Sequence, residues 1–134
     1  MGQGKRLHGR ANRMVKLFVY GTLRKGEALN PYLILFKYLG KATLNNFKMY
    51  SNDYFPMIIK GEGKVIGEVY EINTDNESHA RVLSFINTIE GQYDKTKVEV
   101  KLNGELIDAV TYVYSFPIYD YHYQIKGGDW KNQR

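Results

Sequence analysis

The chain has 134 residues, enough for one domain that buries about two thirds of its extended surface. Hydrophobic residues at 43% and aromatics at 14%, with twelve Tyr, exclude a disordered body; the lack of cysteine excludes disulfides, thiolate nucleophiles and Cys-based zinc sites. The formal net charge is +5, but Lys5, Arg6, Arg10 and Arg13 carry four positive charges in a segment without an acid, so the chain from Met14 onward is nearly neutral.

Residues 1–13 have no periodicity and too few apolar groups to offset their ordering entropy, which predicts a flexible basic tail before a domain over 14–134. Met14 is a candidate start, and a basic arm for nucleic acid is the alternative use of the tail. No apolar run approaches the roughly 18 to 20 residues that span a bilayer, and the N-terminus lacks the apolar core of a signal peptide. The expectation is a cytoplasmic protein without a membrane partner.

Lys16-Leu17-Phe18-Val19-Tyr20 reads as a buried strand, and it breaks at Gly21 into Thr22-Leu23-Arg24-Lys25-Gly26. Gly21 allows close backbone approach, and the amides after it can converge on an anion as a nest. The same residues also suit a plain strand-to-turn junction in which Thr22 caps the next element. Asn30-Pro31 then places a capping side chain before a proline of the first helical turn, with Tyr32, Leu35, Phe36 and Leu39 at helical spacing up to Gly40. Leu44, Phe47 and Met49 sit in a strand-like stretch. A second extended run covers 54–59, where Pro56 argues for an edge or irregular strand.

Residues 64–72 alternate as a strand should, and Gly67 marks a bend or a close neighbour. Thr74-Asp75-Asn76-Glu77 has capping-box spacing before a helix with Val82, Phe85, Ile86 and Ile89 on one face, ending at Gly91. Residues 97–102 alternate, Asn103-Gly104 signals a type I′ hairpin, and 105–114 return as the partner strand. The coarse result is one α+β domain, richer in strand than in helix.

The chemistry is bounded by what is missing. His8, His79 and His122 show no metal-ligand spacing, and neither a nucleophile-elbow serine nor a phosphate-cradling glycine motif is present. Carboxylates remain, and Glu90 is distinctive because it ends an apolar-faced helix beside Ile89. Partial burial and the negative helix end both disfavour its charge, raising its pKa toward that of a general base; an exposed last-turn Glu is the plainer alternative. Tyr112 and Tyr114, two apart on one strand face, are candidates to line a pocket or to pack as core and surface aromatics.

Taken together, Val19-Tyr20-Gly21-Thr22-Leu23-Arg24, then Ile66-Gly67-Glu68-Val69-Tyr70, then Ile89-Glu90-Gly91 with Tyr93, and finally Gly128-Asp129-Trp130 resemble the successive signatures of the γ-glutamylcyclotransferase-like family, which includes γ-glutamylamine cyclotransferases and AIG2-like proteins. The resemblance covers roughly residues 14–130. It implies a compact mixed β-barrel flanked by helices, with Tyr20, Gly21, Thr22 and Leu23 binding the α-amino-acid end of a γ-glutamyl group and Glu90 as catalytic acid/base. It also implies an acyltransferase or lyase that forms 5-oxoproline, acting on a small-molecule γ-glutamyl substrate without a cofactor. Relatives show a longer connection after Glu-Gly into a Tyr-x-Arg strand, whereas here Gln92 leads directly to Tyr93-Asp94-Lys95. That difference bears on the leaving group. A non-catalytic binding or regulatory protein on the same fold, and a barrel that binds single-stranded nucleic acid through its tyrosines, are the other readings.

Overall fold

The computed structural model describes residues 14–131, so the predicted tail over 1–13 lies outside the described residues. The elements are β1 (Met14–Val19), a 3₁₀ turn (Asn30–Leu33), β2 (Lys37–Ser51), β3 (Pro56–Asn73), α1 (Glu77–Ile89), β4 (Tyr93–Leu102), β5 (Glu105–Tyr114) and β6 (Tyr123–Ile125). Among the described residues the domain is mostly sheet with one α-helix. Strands run in the order β3-β1-β5-β4-β2-β6, and β2 also pairs with β3, so the order closes on itself as a ring. β1 and β5 are parallel; the other pairings are antiparallel.

β1 is apolar and buried on both faces from Leu17 to Val19, whereas Lys16 before them is half-exposed and pairs with Glu71. Phe18, followed by Tyr20, joins a cluster with Leu44, Met49, Ile58 and Trp130. Leu17 and Val19 point the other way, into a cluster with Phe36, Ile72 and the α1 residues Leu83 and Ile86. Gly67 of β3 is small because a neighbour is close: a Cβ there would collide with the Val19 carbonyl and the Phe18 ring. In the β4–β5 hairpin, Leu102 faces Glu105, and Asn103 and Gly104 both have positive φ, at 52° and 84°, as a type I′ turn requires.

Three local expectations are corrected. The helix expected from Asn30 to Gly40 is a single 3₁₀ turn, after which β2 begins at Lys37 and pairs with Glu71. Leu33 and Phe36 are buried there, while Tyr32 and Leu35 are exposed, so long-range strand pairing overrides the helical spacing. The stretches 44–49, 56–59 and 64–72 belong to just two long strands, β2 and β3; Tyr54 and Phe55 precede β3, which Pro56 opens opposite Ser51. α1 is capped by Asn76, whose Oδ1 accepts from the Ser78 and His79 amides at 2.9 and 3.2 Å, and not by a Thr74–Glu77 box. Its buried residues are Leu83 and Ile86, whereas Phe85 and Ile89 are exposed; the Phe85 ring packs on Tyr32 at 4.9 Å.

Candidate active site

The loop after β1 is fixed by bonds that its own sequence only half announces. Arg24 N–H donates to the Gly21 carbonyl and Leu29 N–H to the Thr22 carbonyl, both at 2.9 Å. Asn30 does not cap a helix; its amide donates to the Leu23 carbonyl and to the Tyr70 hydroxyl, both at 2.9 Å. These bonds take loop carbonyls as acceptors and leave the amides of Gly21, Thr22 and Leu23 out of the turn. Beneath the loop, the buried Arg24 guanidinium donates to Glu68 Oε2 at 2.9 Å and to Asp129 Oδ1 at 2.8 Å, while the Lys25 amide donates to Glu68 Oε1 at 2.7 Å. One residue each from three separated sequence signatures thus meets in one network. Gly128 enables the third to dock, with φ +69° and a carbonyl that accepts from Ile66 N–H at 2.8 Å.

Glu90 ends α1 as its C-cap residue, with its N–H donating to the Ile86 carbonyl at 3.0 Å. Gly91 is not among the positive-φ residues, so the helix ends without a left-handed glycine cap. The Tyr93 amide donates to the Glu90 carbonyl at 3.0 Å, a tight turn that brings Tyr93 straight onto the site. Three nearby tyrosine hydroxyls are committed elsewhere: Tyr20 to the Tyr112 carbonyl at 2.6 Å, Tyr93 to the Pro56 carbonyl at 2.8 Å, and Tyr112 to Asn87 Oδ1 at 2.6 Å. Without those donors the carboxylate is poorly compensated, and burial pushes the Glu90 pKa from 4.5 up to about 7. Burial, with the Glu90 charge as a further cause, raises the pKa of Tyr20, Tyr93 and Tyr112, so these hydroxyls stay protonated.

Glu90 and the loop open onto one cavity of about 550 Å³. Tyr20, Gly21, Thr22 and Leu23 line it from one side and Glu90 from another; Tyr112 also lines it. Tyr114 does not. As the last residue of β5 it lies half-buried beyond the cavity, its ring against Tyr93 at 5.5 Å and Phe116 at 5.9 Å. Residues not named as pocket candidates from the sequence also line it, among them Leu29, Tyr54, Phe55, Pro56 and Tyr93. The available signal was Pro56, since proline is confined to strand starts, edges and bulges. Among the described residues of the lining, Glu90 is the charged one. His79 and His122 are used in local structure, each accepting a backbone N–H at Nδ1, from Asn73 at 3.1 Å and from Tyr119 at 2.9 Å.

Comparison with known proteins gives the family and the fold. Residues 17–132 match the family model described as gamma-glutamyl cyclotransferase, AIG2-like. The chain is 32% identical over 116 residues to the gamma-glutamylcyclotransferase family protein YtfP of Escherichia coli K12, covering 87% of this chain and 96% of that one. A crystal structure of a Pyrococcus horikoshii protein superposes with a TM-score of 0.68 at 33% identity, covering 89% of this chain and 92% of that one. The mouse AIG2-like protein shares the fold, with a TM-score of 0.67 at 22% identity over 81% of this chain and 82% of its own. Because the family match spans nearly all the described residues and includes both sides of the cavity, this chain belongs to the gamma-glutamyl cyclotransferase, AIG2-like family.

Proposed function

We propose that this protein is a γ-glutamylcyclotransferase that turns a γ-glutamyl amide or γ-glutamyl amine into 5-oxoproline and releases the amine. The observation that carries this reading is the shared cavity: the 20–23 loop and Glu90, far apart in sequence, line the same space. Family membership supports the same reaction class.

The nucleophile belongs to the substrate. Loop amides hold the α-carboxylate or the developing oxyanion, and the folded pose brings the α-nitrogen to the γ-carbonyl carbon. Glu90, as carboxylate, takes a proton from the α-ammonium. The freed nitrogen attacks, the ring C–N bond forms, and the carbonyl oxygen becomes an oxyanion. Collapse breaks the bond to the leaving nitrogen, to which Glu90 returns its proton. The α-nitrogen gives up two protons in all, and the amine leaves as an ammonium after gaining two, so no water is consumed. A pKa near 7 suits a group that must both accept and donate at neutral pH.

A panel of γ-glutamyl amino acids and γ-glutamyl amines assayed for 5-oxoproline release tests the proposal. Release that depends on Glu90 is the expected result. Binding without release from any member would favour the non-catalytic reading.

A further inference from the structure

Residues 128–131 reach back from the far end of the sequence to the loop after β1. Resting on the cyclotransferase reading, we infer that Asp129 and Lys131 are positioning residues: they hold Arg24 and Lys25, and through them the 21–23 amides that bind the α-carboxylate of the substrate.

Arg24, Lys25, Glu68, Asp129 and Lys131 all stand outside the cavity lining, so they act on the loop and not on the substrate. Arg24 Nε donates to Glu68 Oε2 at 2.9 Å, and its Nη1 donates to Asp129 Oδ1 at 2.8 Å. One such bond would leave the guanidinium free to swing about it. Two bonds from different nitrogens, to carboxylates on different segments, fix both its place and its plane. Lys25 is gripped at both backbone groups: its N–H donates to Glu68 Oε1 and its carbonyl accepts from the Lys131 ammonium, each at 2.7 Å. Asp129 Oδ1 also accepts from the Lys131 N–H at 3.1 Å, so one carboxylate sets both Arg24 and the backbone from which Lys131 reaches. The Arg24 N–H closes the turn on the Gly21 carbonyl at 2.9 Å, and a shift of Arg24 is therefore passed to residues 21–23.

The C-terminal segment is itself held firmly enough to serve as an anchor. Ile125 of β6 pairs with Met49, and the Gly128 carbonyl accepts from the Ile66 N–H at 2.8 Å. A Cβ at Gly128 would run into the Lys64 carbonyl, and Trp130 is buried in the core with Phe18 and Tyr20. Asp129 thus lies between two fixed residues. Stability alone does not call for a buried guanidinium between two carboxylates, because apolar side chains of similar volume often serve as well; what the charges add here is a single geometry for the loop above them.

The test is steady-state 5-oxoproline release by the full chain, measured well below the melting temperature of each variant with the γ-glutamyl compound that the parent turns over fastest. Asp129→Ala should raise KM about tenfold and keep kcat within about twofold, because the α-carboxylate is bound alike in the ground state and the transition state. Asp129→Asn keeps an oxygen acceptor for Arg24 and should return KM to within about threefold of the parent. Lys131→Met, at an exposed position, should raise KM about threefold at unchanged kcat. Parental KM in Lys131→Met and in a folded Asp129→Ala, or a fall in kcat at parental KM, would overturn the inference while leaving the cyclotransferase reading intact. Should Asp129→Ala not fold, parental KM in Lys131→Met is enough to overturn it. Release from no γ-glutamyl compound by the parent protein would overturn both.

Discussion

Gly21 lies against Pro56: a Cβ built on Gly21 would stand 2.5 Å from the proline Cγ and 2.9 Å from its Cδ. The loop and the β2–β3 turn therefore meet at a point that has no room for a side chain, and the cavity wall is continuous there because position 21 is glycine.

Gly21→Val should weaken substrate binding more than Thr22→Ser. A β-branched side chain must push Pro56 away and disturb the loop amides, whereas Ser keeps a hydroxyl in an unchanged backbone. Calorimetric titration with a slow substrate analogue should show a Kd raised about tenfold or more for Val, on the order of 1.4 kcal/mol, and about twofold for Ser. Equal losses would place the anion site away from the backbone.

Glu90→Gln keeps the size of the side chain but cannot accept the ammonium proton. Turnover should fall by roughly 10² to 10⁴-fold with substrate affinity retained. In the parent protein the acid limb of the kcat/KM profile should be centred near pH 7, where the buried carboxyl titrates, and that limb should vanish in the variant. A parent-like rate would remove Glu90 from the mechanism.

The same substitution should change stability with a definite sign. In the folded protein Glu90 holds its proton to about pH 7, while the unfolded chain releases it near 4.5. Stability from this group is thus fully present below about 4.5, falls as pH rises toward 7, and stays lost above it. Glu90→Gln does not titrate, so its denaturation midpoint should match the parent at pH 4 and exceed it at pH 8. The gain is on the order of 3 kcal/mol at most, and less where solvent reaches the half-buried carboxylate. A variant less stable than the parent at pH 8 would show that the carboxylate is needed for structure.

Glu68 has a different part from Glu90, although both are half or more enclosed carboxylates near the loop. Its two oxygens are engaged by Arg24 and the Lys25 amide, and its side chain is only 6% exposed. Arg24→Met should strand that charge and cost about 3 to 5 kcal/mol, read from urea denaturation. The double variant Arg24→Met with Glu68→Met should recover part of the loss. Were Glu68→Gln to abolish release at unchanged stability, Glu68 and not Glu90 would be the proton carrier.

Several features follow from the sequence alone because their causes are local. The apolar run 17–20 is a strand buried on both faces, Asn103-Gly104 sets a hairpin through two positive-φ residues, and the helix before Glu90 shows in its periodicity. The position of Glu90 at the end of an apolar-faced helix singled it out in the sequence, and in the fold burial raises its pKa. Other features were decided only by tertiary structure. Residues 37–39 are strand and not helix because β3 offers Glu71 and Tyr70 as partners, a long-range pairing that outweighs helical spacing. Phe85 and Ile89 have the spacing of a buried face but lie outward, because the sheet covers only the Leu83–Ile86 side of α1. Tyr112 and Tyr114 share a strand face, yet only Tyr112 reaches the cavity, because β5 runs past its edge within two residues. Likewise Pro56, Tyr54 and Tyr93 join the site through ring closure of the strands, and Arg24, Glu68 and Asp129 meet only once β1, β3 and the C-terminal segment are packed together. Local sequence sets period and turn chemistry, but which groups share a cavity depends on pairings between distant segments, and those are fixed by burial of the whole chain.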